Sequence, residues 1–254
     1  MSNFGDHPAG FFGDSSFYNG VATQSVRLDS TAKKSLNRTM TTGNRRLFTY
    51  SFWFKTTKLG SKFLLSKGEN VSNADVSKIQ INSSDQLVVQ EAIDDSGTLN
   101  LVTTRKFRDT SAWYNVVIAF DTAQGTAANR IKVYVNGVQE TSFGTASYPS
   151  QNYDAIFPFN QSSSSVLQIG RYSASLDDAS EHWDGYLSDI THIDGTALTA
   201  SSFGELKNGV WIPINTSGLT FGDEGYLLKF DQVGVGTAST TTIGADTSGN
   251  NNHF

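Results

Sequence analysis

Along most of the chain apolar residues recur at every second position, the period of a half-buried β-strand. Between Leu47 and Lys55, Phe48, Tyr50, Phe52 and Phe54 fall on one face; Thr49, Ser51 and Lys55 fall on the other, and Trp53 shares that polar face. Trp113–Asp121 sets Tyr114, Val116, Ile118 and Phe120 against Asn115, Val117 and Ala119, as a central strand covered on both sides would. Arg130–Asn136 alternates again, and Asn136-Gly137 comes at once after it. Both central residues of a type I′ turn need positive φ, so this pair predicts a hairpin joining Arg130–Val135 to Val138–Phe143. Weaker strands are predicted at Gln24–Asp29, Lys62–Ser66, Val76–Asn82, Gln86–Ala92, Leu99–Thr104, Val166–Gly170, Gly185–Asp194 and Tyr226–Asp231. Helical pattern is confined to Thr199–Gly204, a single turn with Thr199 as N-cap and Gly204 as terminator. Many short strands without βαβ spacing mean an all-β fold, an antiparallel sandwich or barrel. Gly144–Ser165, with Tyr148, Tyr153, Phe157 and Phe159, reads as a long loop, either functional or packed on itself.

Composition narrows the functions. A chain of 254 residues fits one large β domain or two small ones. Only 17% of residues are charged, so Ser, Thr, Asn, Gln and Gly must supply much of the polar surface. The balance of 19 basic against 24 acidic residues, net −5, with no Lys/Arg stripe, argues against nucleic acid as a partner. The absence of cysteine excludes disulfides, zinc fingers, iron–sulfur clusters and thiol catalysis. The first 20 residues lack the basic and apolar regions of a signal peptide. No window approaches the roughly 18–20 apolar residues of a membrane helix, so membrane insertion is not expected. Those first residues carry Phe4, Phe11, Phe12, Phe17 and Tyr18 among Gly, Asp, Ser and Pro, too many aromatics for a merely solvated tail. They are expected to form an extended docking arm, residues 1–20, that lies on a partner chain or a trimer mate. The remaining domain spans 21–254.

The runs FTYSFWFKT (Phe48–Thr56, from Leu47's strand), FLLSKG (Phe63–Gly68), WYNVVIAFD (Trp113–Asp121), IKVYVNGV (Ile131–Val138), LQIG (Leu167–Gly170) and DGYLSDITHIDGTALT (Asp184–Thr199) together resemble the laminin-G-like, concanavalin A-like jelly roll. More narrowly, RDTSAWYNVV, YVNGVQETSF, PSQN, DGYLSDITHIDGTALTASSFGE, GVWIPI, DTSGNNNH and the opening FGDHPAGFF resemble the version carried by virion proteins of tailed, often marine, bacteriophages. The resemblance implies a two-sheet antiparallel jelly-roll sandwich, other virion proteins as partners through the arm, and a homo-oligomer, with a trimer as one such assembly. It also implies a virion protein assembled in the host cytoplasm and released by lysis. In the common form of this jelly roll, a strand ending in Phe-Asp and a D-x-SGN-x-NH turn precede the strand that here reads Ser25–Asp29. In this chain Gly225–Asp231 and Ala245–Phe254 come last. A circular permutation is one reading of that order, and a second domain opening at Gly225 is the other.

Candidate chemistry comes from the same residues. Glucanases on this fold need two carboxylates flanking the scissile bond. The nearest approach, Glu91 with Asp94-Asp95, reads as a strand running into a turn. His7, His182, His192 and His253 show no metal-ligand spacing, and no G-x-S-x-G landmark occurs. A non-enzyme is expected. The resemblance implies that Asp189 and Asp246 can meet at a Ca²⁺ site, weakened by Ser188 where a carboxylate is usual; the alternative is a local cap and an Asx turn. Asp177–Asp184 reads as a second cation or sugar site through Asp184, or as a loop with Trp183 packed in the core. Tyr148 and Tyr153 either stack on a sugar ring or anchor their loop or a neighbouring subunit. The leading expectation is a tail-fibre or tail-associated component that binds a host-surface glycan. A capsid decoration protein is the alternative, and a free lectin or glycanase is the third.

Overall fold

The computed structural model describes residues 19–41, 43–68, 76–93, 96–156, 166–172 and 182–254. The arm residues Phe4, Phe11, Phe12, Phe17 and Tyr18, the loop residues Phe157 and Phe159, Asp94-Asp95 and the acidic stretch from Asp177 to Glu181 lie outside the described residues.

Among the described residues sixteen strands succeed one another in chain order: β1 (Val26–Leu28), β2 (Leu36–Arg38), β3 (Leu47–Thr56), β4 (Lys62–Gly68), β5 (Val76–Ile81), β6 (Gln86–Ile93), β7 (Ser96–Lys106), β8 (Tyr114–Asp121), β9 (Ile131–Val135), β10 (Val138–Gln139), β11 (Phe143–Ser147), β12 (Val166–Ile169), β13 (Gly185–Asp194), β14 (Gly204–Lys207), β15 (Val210–Pro213) and β16 (Tyr226–Leu228). One sheet runs β1-β13-β3-β8-β9-β10, with β16 also paired to β13; the facing sheet runs β11-β7-β6-β5-β4-β12-β2. All named pairs are antiparallel. This is the jelly-roll sandwich that the period-2 pattern and the resemblance imply.

The inner faces meet in one core. Phe48, Tyr50, Phe52 and Phe54 of β3 are fully buried there with Val116, Ile118 and Phe120 of β8 and Leu99 and Leu101 of β7. Phe48 stacks on Phe120 at 4.2 Å, and Trp183 meets Phe54 edge-on at 5.5 Å, favourable geometries for opposed ring quadrupoles.

Three sequence expectations are corrected. The polar face of β3 is not solvated: Thr49 and Ser51 are buried beneath a third layer, residues 195–221, whose Ala200 and Phe203 pack with Val117, Tyr134, Ile193, Phe221 and Leu227. The polar atoms are satisfied locally, since Thr49 Oγ1 donates to Thr196 O and accepts from Leu198 N. The hairpin after Asn136-Gly137 does turn at positive φ, +47° and +82°, but its second strand is only β10. The chain then crosses to the other sheet, where Phe143–Ser147 pairs with β7 and Glu140 meets Arg105 of β7 at 2.5 Å. Gly144–Ser147 is therefore strand, not loop. Finally, the 3-10 turn at Ala200–Ser202 has no side-chain cap from Thr199, and Gly204 starts a strand.

The C-terminal segment belongs to the sandwich. Tyr226, Leu227 and Leu228 are buried, and β16 pairs with Ile190–His192 of β13. β1 pairs with Gly185–Leu187 on the same strand, so the two halves of one edge slot are filled from opposite ends of the chain. Between them β13 bulges at Ser188–Thr191, where Asp189 takes φ +45°.

Candidate functional site: a tryptophan cleft on the outer face

Strand register builds the floor of a cleft. Ser188 of β13 lies opposite Trp53 of β3, which lies opposite Asn115 of β8, so one row of side chains crosses the outer face of the sheet. Trp113 stands just before β8 with its ring tilted at 57° to Tyr186, 6.3 Å away. The roof is the β14–β15 hairpin, whose turn is Asn208-Gly209 at φ +50° and +80°. It delivers Trp211 over Asn115. The indole Nε1 donates to Asn115 Oδ1 at 3.0 Å, while Asn115 Nδ2 lies within reach of Phe52 O and Ser51 Oγ. Because the indole is only a donor, it fixes which way the Asn115 amide faces.

Glycine makes this seat possible. A Cβ on Gly137 or on Gly204 would come within 2.5 Å of the Trp211 ring, so the ring is held between two backbones that only glycine can bring so close. Gly137 thus serves the type I′ turn and the indole together. The remaining wall is Ala22–Ser25, tied down by Asn19 Nδ2 donating to Pro213 O at 2.5 Å and by Ser188 Oγ donating to Gln24 O at 2.6 Å.

The resulting cleft has a volume of about 540 Å³ and contains three of the four tryptophans, Trp53, Trp113 and Trp211. Trp113 is 37% exposed and Trp53 only 8%. Among the described residues neither a carboxylate nor a Lys or Arg lines it; the polar contribution comes from Thr23, Gln24, Ser25 and Ser188. Such a site matches an uncharged ligand with a flat apolar face and hydroxyls at its rim. Beneath the wall, burial pushes the Asp189 carboxyl up to about 6, against the opposing pull of the Ser188 hydroxyl and Lys229. Ser188 has a single hydroxyl proton and two acceptors, Gln24 O and, at 3.0 Å, Asp189 Oδ2. In the core below, burial drives His192 down to about 3, so the ring stacked on Tyr50 at 4.5 Å stays neutral.

The residues marked by sequence do not gather at this cleft. Tyr148 and Tyr153 are half-buried and pack against the core, and Thr122 Oγ1 donates to the backbone carbonyl of Tyr153. Asp184 is a clip: Oδ2 accepts from Ser30 Oγ at 2.7 Å and Oδ1 from Thr57 Oγ1 at 2.9 Å. Trp183 is a core residue. Glu91 is buried and accepts from Ile156 N.

The Asp189 and Asp246 pair does not fit calcium. Asp246 accepts from the backbone N–H of Leu227, Ser248 and Asn252 and from Ser248 Oγ, all at 2.8–2.9 Å, a donor shell that repels a cation. Asp189 faces Ser188 and Lys229 instead. Among the described residues no group of three or more His, Cys, Asp or Glu could hold a metal ion. The cleft itself escaped the sequence reading. Asn208-Gly209 just before the apolar run Val210–Pro213 is the local signal for the hairpin that carries Trp211.

An antiparallel sandwich with an aromatic, uncharged surface cleft defines the lectin-like class of β domains. The family model of the concanavalin A-like lectin/glucanases superfamily (Laminin_G_3) matches residues 22–202, and the chain belongs to this family. Trp211, Ile212 and Pro213, the cleft's roof, lie beyond the matched span. Similar solved structures include the native heptameric SAP-like pentraxin from Limulus polyphemus, at 20% identity over 69% of this chain and 77% of that one, TM-score 0.47. Domains LG4-5 of the mouse laminin alpha1 chain share 13% identity over 66% of this chain and 40% of theirs, TM-score 0.41. The Ruminococcus gnavus IT-sialidase CBM40 shares 12% over 66% of this chain and 93% of its own, TM-score 0.43. Comparison with curated protein sequences finds no match.

Proposed function

We propose that this chain is a non-enzymatic adhesive component of a tailed-phage virion, tail-fibre or tail-associated, whose tryptophan cleft takes a neutral pyranose from a host-surface glycan. The observation that carries the reading is the cleft: three indoles, hydroxyl and amide side chains at the rim, and no ionic group in its lining. A sugar ring offers an apolar face to an indole and hydroxyls to Ser and Gln, and it needs no counter-charge. A nucleotide or a sialic acid would bring a negative charge that no Lys or Arg of the cleft meets. Hydrolysis would require a carboxylate pair astride the bond, and none lines the cleft. The virion assignment rests on the phage-like motifs of the sequence, and the lysis route of release goes with it.

Glycan arrays probed with the full chain test the ligand. Binding is expected to neutral hexose-terminated glycans over sialylated ones. Trp113→Ala is expected to weaken it about fivefold or more, because stacking on one indole contributes on the order of 1 kcal/mol or more. Trp113 lies outside the core, so the variant should keep its melting temperature. Binding confined to sialylated glycans, or unaltered by Trp113→Ala, would exclude the cleft as the sugar site. Cryo-electron microscopy of virions tests the location, and density over capsomer junctions would replace the tail role by capsid decoration.

A further inference from the structure

A second concavity lies on the other side of β1. It has a volume of about 790 Å³ and opens between the edge strands of the two sheets, β1 and β2, with the loop 233–243 as its outer lip. Val26, Leu28, Leu36, Ile243 and Phe254 give it an apolar floor, and Arg27 and Lys34 line it as cations. Its lip carries Val233 and Val235, 93% and 89% exposed, the two most exposed large hydrophobic residues described. Among the described residues β1 pairs only with β13 and β2 only with β12, so each keeps an open edge toward this groove. Open edges beside bare valines are a surface that proteins ordinarily cover.

We propose that the groove is the seat of residues 1–18 of a second copy of this chain. The segment matches it chemically: Phe4, Phe11, Phe12, Phe17 and Tyr18 suit the apolar floor, and Asp6 and Asp14, with no Lys or Arg beside them, suit Arg27 and Lys34. Eighteen residues reach roughly 60 Å when extended, far enough to cross to a neighbour. Its root favours a neighbour over its own body. Asn19 is tied to Pro213, on the far side of the tryptophan cleft, and the chain from Ala22 to Ser25 walls that cleft before β1 begins. To enter its own groove the arm would have to double back over β1. Arm and groove are different patches, so reciprocal exchange between two copies gives a two-fold dimer, and one-way exchange gives a ring where the rotation closes. This inference is independent of the sugar reading, since no residue that lines the groove also lines the cleft.

Photo-crosslinking of the full chain decides it. Phe12 is replaced by a benzophenone amino acid in a mixture of isotopically heavy and light chains, and the adducts are mapped by mass spectrometry. Heavy–light adducts on residues 233–243 are expected. Adducts only within one chain, or on other surfaces, would overturn the proposal. Light scattering supplies the second readout. The unaltered chain is expected to be oligomeric, and Val233→Asp with Val235→Asp, both solvent-exposed, should weaken assembly at least tenfold without changing the melting temperature. A monomer at every concentration of the unaltered chain would equally overturn it. Glycan binding by the monomeric variant separates failure here from failure of the sugar reading.

Discussion

Asp246→Ala is expected to lower the unfolding free energy by about 3–4 kcal/mol, because hydrogen bonds to a charged group contribute roughly 1.5–3 kcal/mol each and are not additive. The carboxylate gathers three backbone N–H groups from both flanks of the C-terminal turn. Truncation leaves Leu227 N and Asn252 N buried without that acceptor. The loss spreads along the clip, since Asn252 Nδ2 donates to Asp223 O and Gly225 O, and its Oδ1 accepts from Arg38, which also meets Glu224 at 3.1 Å. Beyond the turn, Phe254 closes the core over Tyr226 at 4.8 Å. Urea unfolding measures the effect. Asp246→Asn, which keeps one acceptor, should cost about half as much. A loss below about 1 kcal/mol for the alanine variant would show that the clip is dispensable and that the core holds β16 unaided.

Asp189→Asn is expected to stabilise the protein by about 2 kcal/mol at pH 7 and to do nothing below about pH 4. The carboxyl stands near 6 in the fold against 3.8 in its absence, so the folded state holds the proton more tightly than the unfolded chain. Below about pH 4 both states are protonated and there is no penalty. Between 4 and 6 the unfolded chain ionises first and stability falls; above 6 the penalty is complete. Two pKa units correspond to about 3 kcal/mol, which partial access of water reduces to about 2. Asparagine tolerates the φ of +45° and can still hydrogen-bond Ser188. Urea midpoints at pH 4 and pH 7 check this. An equal gain at both would assign the effect to backbone preference rather than to charge.

How much of this was legible depends on what buried each face. β3, β8 and β9 are plain in the sequence because their inner residues face a core and alternate strictly. The outer face of β3 misleads: Thr49 and Ser51 are polar yet buried, Thr49 bonded to Thr196 and Leu198 from a layer of residues 195–221 far along the chain, and Ser51 accepting from Asn115 of β8. Trp53, grouped with the polar residues, is the floor of the cleft. Of the three Asn-Gly pairs, Asn136-Gly137 predicts its turn correctly but not the length of the strand after it, since only Val138–Gln139 pair with β9 before Phe143–Ser147 joins the other sheet. Asn208-Gly209 carried the same local signal between runs of only four residues, too short for alternation to register. The aspartates suggested by resemblance, Asp189 and Asp246, do work that no local pattern distinguishes from ligation: one is desolvated in a bulge and the other is ringed by donors.

The split edge of β13 also fixes how the molecule bears tension. Load applied from the N-terminal side passes the side-chain ties of Asn19 to Pro213 and of Ser188 to Gln24 and then falls on β1, which is held to β13 by three residue pairs, whereas β3 is held to it by eight. The first strand is therefore the mechanical fuse of the domain. Ser25 walls the cleft and Val26 lines the groove, so yielding there would slacken both surfaces in one event while β16, gripping the other half of the same edge, kept the sandwich closed.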